Sequence, residues 1–137
     1  MNQKTIQGWI EKRGFAVTAK DPSMLVVRWS APFAKKKPLP PLYVQTSENW
    51  IVLSVLPVEV SPAYALSGLA RALLALNRNM PVVKFAYGDA DEVVLCAELP
   101  TESLDEDELL GVMDTLLDAL ESYGDYRPLP GDASTSA

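Results

Sequence analysis

Hydrophobic and polar residues change period near the middle of the chain, and that change organises the rest. Leu66, Leu69, Ala70, Leu73 and Leu76 recur at helical spacing, so the stretch up to Asn77 predicts an amphipathic helix with one buried face. Asn77 is the expected end, and Pro81 blocks continuation. From there the period is two. Val83, Phe85 and Tyr87 take one side of a strand, and Val82, Lys84 and Ala86 the other. Gly88 to Asp91 supplies a turn, and Glu92 to Glu98 returns as a second strand. A hairpin this apolar is not stable alone in water, so it requires the helix and further strands.

The same reading extends to both ends. Lys4 to Arg13 predicts a short helix with Ile6, Trp9, Ile10 and Arg13 on one face and Gly14 as its stop. Phe15 to Ala19 leads out in extended form, and Asp21, Pro22 and Ser23 signal a turn. Met24 to Trp29, Leu42 to Thr46 and Trp50 to Leu56 read as strands, the last two joined by a turn at Ser47 to Asn49. Between the first two lies Ala31 to Pro41, where Pro32, Pro38, Pro40 and Pro41 surround Lys35, Lys36 and Lys37; missing ladder donors make this a loop or a polyproline-like edge. Ser61 and Pro62 fit an N-cap and first helical residue for the central helix.

After Pro100 to Glu102, Ser103 to Glu106 has the S-x-x-E form of a capping box, and Asp105 to Glu108 place negative charge at the positive end of a helix. Leu109, Met113, Leu116, Leu120 and Tyr123 form the stripe of that last helix, with Asp114, Asp118 and Glu121 outside and Gly124 at its end. The expected order is α-βββ-α-ββ-α, an α+β class with an antiparallel five-stranded sheet. Residues 1–123 are expected as a single domain and residues 124–137 as a flexible polar tail.

Composition narrows the function. A chain of 137 residues has room for one core. Its net charge of −6 argues against a general nucleic-acid binder and against attachment to an anionic membrane surface. The absence of histidine removes the commonest general base together with the commonest metal ligand. Cys96 is the one cysteine and has no partner within the chain, so nothing points to an oxidising compartment. No apolar run reaches spanning length and the first residues lack a signal-like segment, which together suggest a cytoplasmic protein.

Each chemical candidate has a plainer reading. Cys96 sits in VVLCAE, the setting of a packed strand cysteine rather than a reactive thiol. Asp105 to Glu108 lacks the glycine bend and late glutamate of a calcium loop, and Gly88 to Glu92 reads as a hairpin turn. Gly8, Gly14 and Gly68 are isolated and form no phosphate loop. Lys35, Lys36 and Lys37, after Arg28, form a basic cluster that suits an acidic partner or a protected edge. Excess apolar character is more informative. Trp50 to Leu56 carries no charge on either strand face, and Met24 to Val27 and Val93 to Ala97 are similar. A sheet with one wet face alternates apolar and polar residues. The second face therefore calls for a cover: a second copy, a client peptide, a ligand, or the first helix and the proline-rich loop.

The stretches IQGWIEKRGFAV, ALLALN, VVKFAYGDADEVVLCAELP and LDEDELLGVMDTLLDALESY resemble the YbjN-like family of bacterial proteins across residues 5–123. That family is similar in fold to the dimeric chaperones of type III secretion. The resemblance implies a non-enzymatic module that binds a polypeptide partner and forms a homodimer, with no catalytic residue and no cofactor. Trp29, Trp50, Val52, Lys35, Lys36 and Lys37 are the expected partner contacts. The alternative is a small-molecule sensing domain with an apolar pocket between sheet and helices. An enzyme would have to work through carboxylates or tyrosines without histidine.

Overall fold

The structure, a computed structural model, describes residues 2–29, 39–56, 58 and 68–123. The chain runs α1 (Gln3–Lys12), β1 (Ala16–Asp21), β2 (Met24–Arg28), β3 (Leu42–Thr46), β4 (Trp50–Val55), α2 (Leu69–Asn79), β5 (Lys84–Tyr87), β6 (Val93–Pro100) and α3 (Glu106–Tyr123). Its strands form one six-stranded sheet in the order β1-β2-β3-β4-β6-β5, with every neighbouring pair antiparallel.

The α+β antiparallel class is as expected, but the strand count is corrected from five to six. The additional strand is β1, which turns the order into α-ββββ-α-ββ-α. Its residues, AVTAKD, are exposed at every position except Val17, so they lack the buried alternation that marks a strand in sequence. Pairing with β2 makes it a strand. The Asp21 carboxylate accepts hydrogen bonds from the Ser23 backbone N–H at 2.8 Å and hydroxyl at 3.0 Å, which closes the β1–β2 turn. Those two bonds hold the Asp21 pKa below the usual carboxylate value.

Strand register divides the side chains cleanly. Phe85, Leu95, Val55, Leu42 and Val27 are successive cross-strand partners, as are Ala97, Leu53, Val44 and Leu25. All of these are buried. Ile6 and Ile10 of α1, with Leu109, Met113, Leu116 and Leu120 of α3, complete the same core. One sheet face therefore packs against α1 and α3, while α2 sits at the β5 edge.

Helix ends depart from the expected frame in three places. Helix α1 starts under an Asn2 cap, whose side-chain oxygen accepts from the Thr5 N–H at 2.9 Å, and stops at Gly14, whose φ of 104° only glycine adopts readily. Helix α2 continues past Asn77 to Asn79; the Asn77 carbonyl accepts from the Met80 N–H at 3.2 Å, and Lys84 donates to the carbonyls of Asn77 and Met80 at 2.8 and 2.6 Å. The capping box of α3 lies two residues later than Ser103 to Glu106. Asp105 accepts from the Glu108 N–H at 2.8 Å, and Glu108 accepts from the Asp105 N–H at 3.2 Å. Ser103 instead takes a left-handed φ of 64°, incompatible with an N-cap. The proline-rich loop at 31–38, the Ser61 and Pro62 helix start, Leu66, the side chain of Tyr123, Gly124 and the tail 124–137 lie outside the described residues.

Candidate functional site: the outer face of the sheet

Two cross-strand rows line the face away from α1 and α3. One runs Lys84, Cys96, Ser54, Tyr43, Val26 and Thr18; the other runs Glu98, Val52, Gln45 and Met24. Met24, Val26, Tyr43, Val52, Ser54 and Cys96 are all half-buried. A groove of about 550 Å³ follows this face, floored by Met24, Tyr43, Gln45, Val52, Ser54 and Leu56, with Lys20 and Glu92 adding one charge of each sign. It is open along its length and mostly apolar. The sheet–helix interface, where a small-molecule pocket was the alternative expectation, is occupied by fully buried side chains such as Leu53, Leu95, Met113 and Leu116.

The expected contact residues separate. Trp50 and Val52 share the outer face: Trp50 is half exposed opposite Pro100, and Val52 lines the groove between Gln45 and Glu98. Trp29 belongs elsewhere. Its ring meets Phe15 edge-on, with centroids 5.4 Å apart, and its indole N–H donates to the Pro40 carbonyl at 2.8 Å. That geometry fastens the two ends of the segment between β2 and β3 to the core. Lys35, Lys36 and Lys37 lie outside the described residues.

Sequence reasoning passed over Met24, Tyr43, Gln45, Ser54 and Leu56 as contact residues. Period-two alternation in LYVQT already puts Tyr43 and Gln45 opposite Leu42 and Val44. It does not say which parity the helices cover. Among the described residues, Leu74 of α2, Val82 before β5 and Tyr87 at the end of β5 are further exposed large apolar side chains.

Electrostatics on this face are quiet. Burial pushes the Cys96 thiol pKa up, and the Glu98 carboxylate adds to the shift, so the neutral thiol is the form present at neutral pH. The turn after β5 satisfies itself: Gly88 donates to the Glu92 carbonyl at 2.8 Å, and the Glu92 side chain accepts from the Ala90 N–H at 2.9 Å. Among the described residues no group of three or more histidine, cysteine or acidic side chains is placed to hold a metal ion. Nor, among them, is any helix long and apolar enough to cross a membrane.

The fold is thus an antiparallel sheet with helices on one face and an open, mostly apolar groove on the other. Residues 41–126 match the model of the family described as T3SS (YopN, CesT) and YbjN peptide-binding chaperone 1. The match spans more than half of the chain, and the protein belongs to this family of peptide-binding chaperones.

Solved structures share the fold. A chain from the heterodimeric ExoU-SpcU complex of the Pseudomonas aeruginosa type III secretion system is 22% identical, with a TM-score of 0.64 over 89% of this chain and 97% of that one. YbjN from E. coli, described as a putative transcription regulator, is 18% identical, with a TM-score of 0.60 over 89% of this chain and 93% of its own. A chain of the ExsC-ExsE complex is 15% identical, with a TM-score of 0.66 over 95% and 99% respectively. At these identities the likeness is one of fold. No curated protein matches the sequence.

Proposed function

We propose that this protein is a non-enzymatic chaperone of the cytoplasm that lays an extended, largely apolar segment of a partner polypeptide along the outer face of its sheet, and that it works as a homodimer. The observation that carries the reading is the groove of about 550 Å³ on a face where Met24, Tyr43 and Val52 are only half-buried. Removing such surface from water contributes roughly 25 cal/mol per Å², and an extended segment can present alternate side chains to it. Trp50 and Val52 are the proposed anchors, with Trp50 at the start of β4 and Val52 within the groove. Family membership supports peptide binding, and the ExoU-SpcU and ExsC-ExsE structures are complexes between two different proteins. Residues 1–123 are proposed as the working domain, with the tail outside it.

The test is native mass spectrometry across a dilution series, paired with binding to an array of apolar and acidic peptides. Val52→Glu places a carboxylate beside Glu98 on the outer face, away from the core. The variant is expected to stay folded, lose apolar peptide binding and keep the dimer mass. Unchanged binding by a folded variant would overturn the placement of the site. A monomer at every concentration would overturn the homodimer, and a small retained mass with no peptide binding would move the reading to a ligand sensor.

A further inference from the structure

The side chain of Asn77 closes one edge of the sheet. It donates from Nδ2 to the Phe85 carbonyl at 3.0 Å and accepts at Oδ1 from the Phe85 N–H at 2.7 Å. A single carboxamide thus makes both bonds that a neighbouring strand would make to one residue. The register explains why Phe85 is available. Gly88 donates to the Glu92 carbonyl in the turn, so in the alternating antiparallel ladder Ala86 and Lys84 bond to β6, while Phe85 and Tyr87 turn their backbone groups outward. Strand β5 has only four residues and therefore offers two outward rungs, one of which Asn77 occupies.

The helix holds the carboxamide in place. Lys84 bonds the carbonyls of Asn77 and Met80 at 2.8 and 2.6 Å, tying the C-terminal turn of α2 to the strand it covers. The neighbourhood makes such a device useful. Leu74 of α2, Val82 before β5 and Tyr87 at the end of β5 are 68%, 55% and 47% exposed, and an apolar edge strand is a template for pairing with another chain.

We infer that Asn77 is a strand surrogate that blocks the β5 edge against pairing with the β5 edge of a second copy. This goes beyond the peptide-binding reading and does not rest on it, since the groove lies on the sheet face and the plug on its edge. Among the described residues an added strand at β5 would find one open rung, too few to hold a register, so association by edge pairing is denied there.

Sedimentation velocity over a concentration series, with amide hydrogen exchange, tests the inference against whatever oligomer the wild type forms. Asn77→Ala is expected to add larger species that grow with concentration, and to speed Phe85 amide exchange about tenfold in dilute solution, the scale of one lost hydrogen bond. Asn77→Asp keeps the acceptor for the Phe85 N–H but not the donor, and should fall between. A folded Asn77→Ala with the wild-type size distribution would overturn the inference, because the bulk of α2 would then suffice to close the edge. Lys84→Met loosens the helix end and leaves the carboxamide; assembly as strong as that of Asn77→Ala would also overturn it. Should the alanine variant not fold, the wild type still decides: a Phe85 amide exchanging at the rate of an unstructured chain would show that the surrogate bonds do not hold.

Discussion

One nitrogen of Arg13, Nη2, reaches both carboxylate oxygens of Asp114, at 2.6 and 2.8 Å, and so joins the end of α1 to the middle of α3. The partners are 101 residues apart in sequence and both half-buried. Lys12 and Glu106 form a second bridge between the same helices at 3.1 Å, with Lys12 largely exposed. Together they link the two helices that share the apolar core over the inner sheet face.

A double-mutant cycle with Arg13→Met and Asp114→Asn should give a coupling of about 0.5–1 kcal/mol in urea unfolding, reduced in high salt, since half-exposed pairs sit at the low end of ion-pair energies. The Lys12–Glu106 cycle should give less. A coupling near zero for Arg13 and Asp114 would mean that apolar packing alone sets the position of the helices.

The capping frame of α3 can be read from two single changes. Asp105→Ala removes the oxygen that accepts from the Glu108 N–H and should cost about 1 kcal/mol of stability. Ser103→Gly relieves a left-handed backbone and should be neutral or slightly stabilising. Chemical denaturation of both variants checks the assignment; the opposite ranking would restore Ser103 as the cap.

Cys96 should alkylate slowly at neutral pH, more slowly than a free thiol, because burial and Glu98 disfavour the thiolate. The same shift predicts a pH dependence of folding. With the folded-state pKa raised above the unfolded value, stability is full below the unfolded-state pKa. As pH rises through the window between the two, the unfolded chain loses its proton first, and stability falls until the folded thiol ionises. Denaturation midpoints measured from neutral to alkaline pH should show this decline, and Cys96→Ser should flatten it.

Much of the fold was legible in the chain. The apolar stripe of α3, the hairpin turn at Gly88 to Asp91 and the three strands from Met24 to Leu56 follow from periodicity and turn chemistry alone. Strand β1 was not, since its side chains are exposed and its conformation comes from pairing with β2. The outer face that forms the candidate site was legible only in part. The dryness of both faces of Trp50 to Leu56 pointed to an outer surface, and Val52 and Trp50 lie on it. The contact of Trp29 with Phe15 was not legible, because an aromatic residue at a strand end reads the same whatever its ring packs against.

Alternation within a strand is a local property, so α1, α3, the later part of α2, most strands, the antiparallel α+β class and the family follow from the chain alone. Which parity of each strand the helices would cover was decided by the tertiary structure. That choice depends on contacts between distant residues: Arg13 with Asp114, Asn77 with the backbone of Phe85, and Ile6 and Leu116 in one core. A period of two is unchanged when the faces are exchanged, and only packing energy between elements breaks that symmetry. The groove and the closed edge at β5 are consequences of how it was broken.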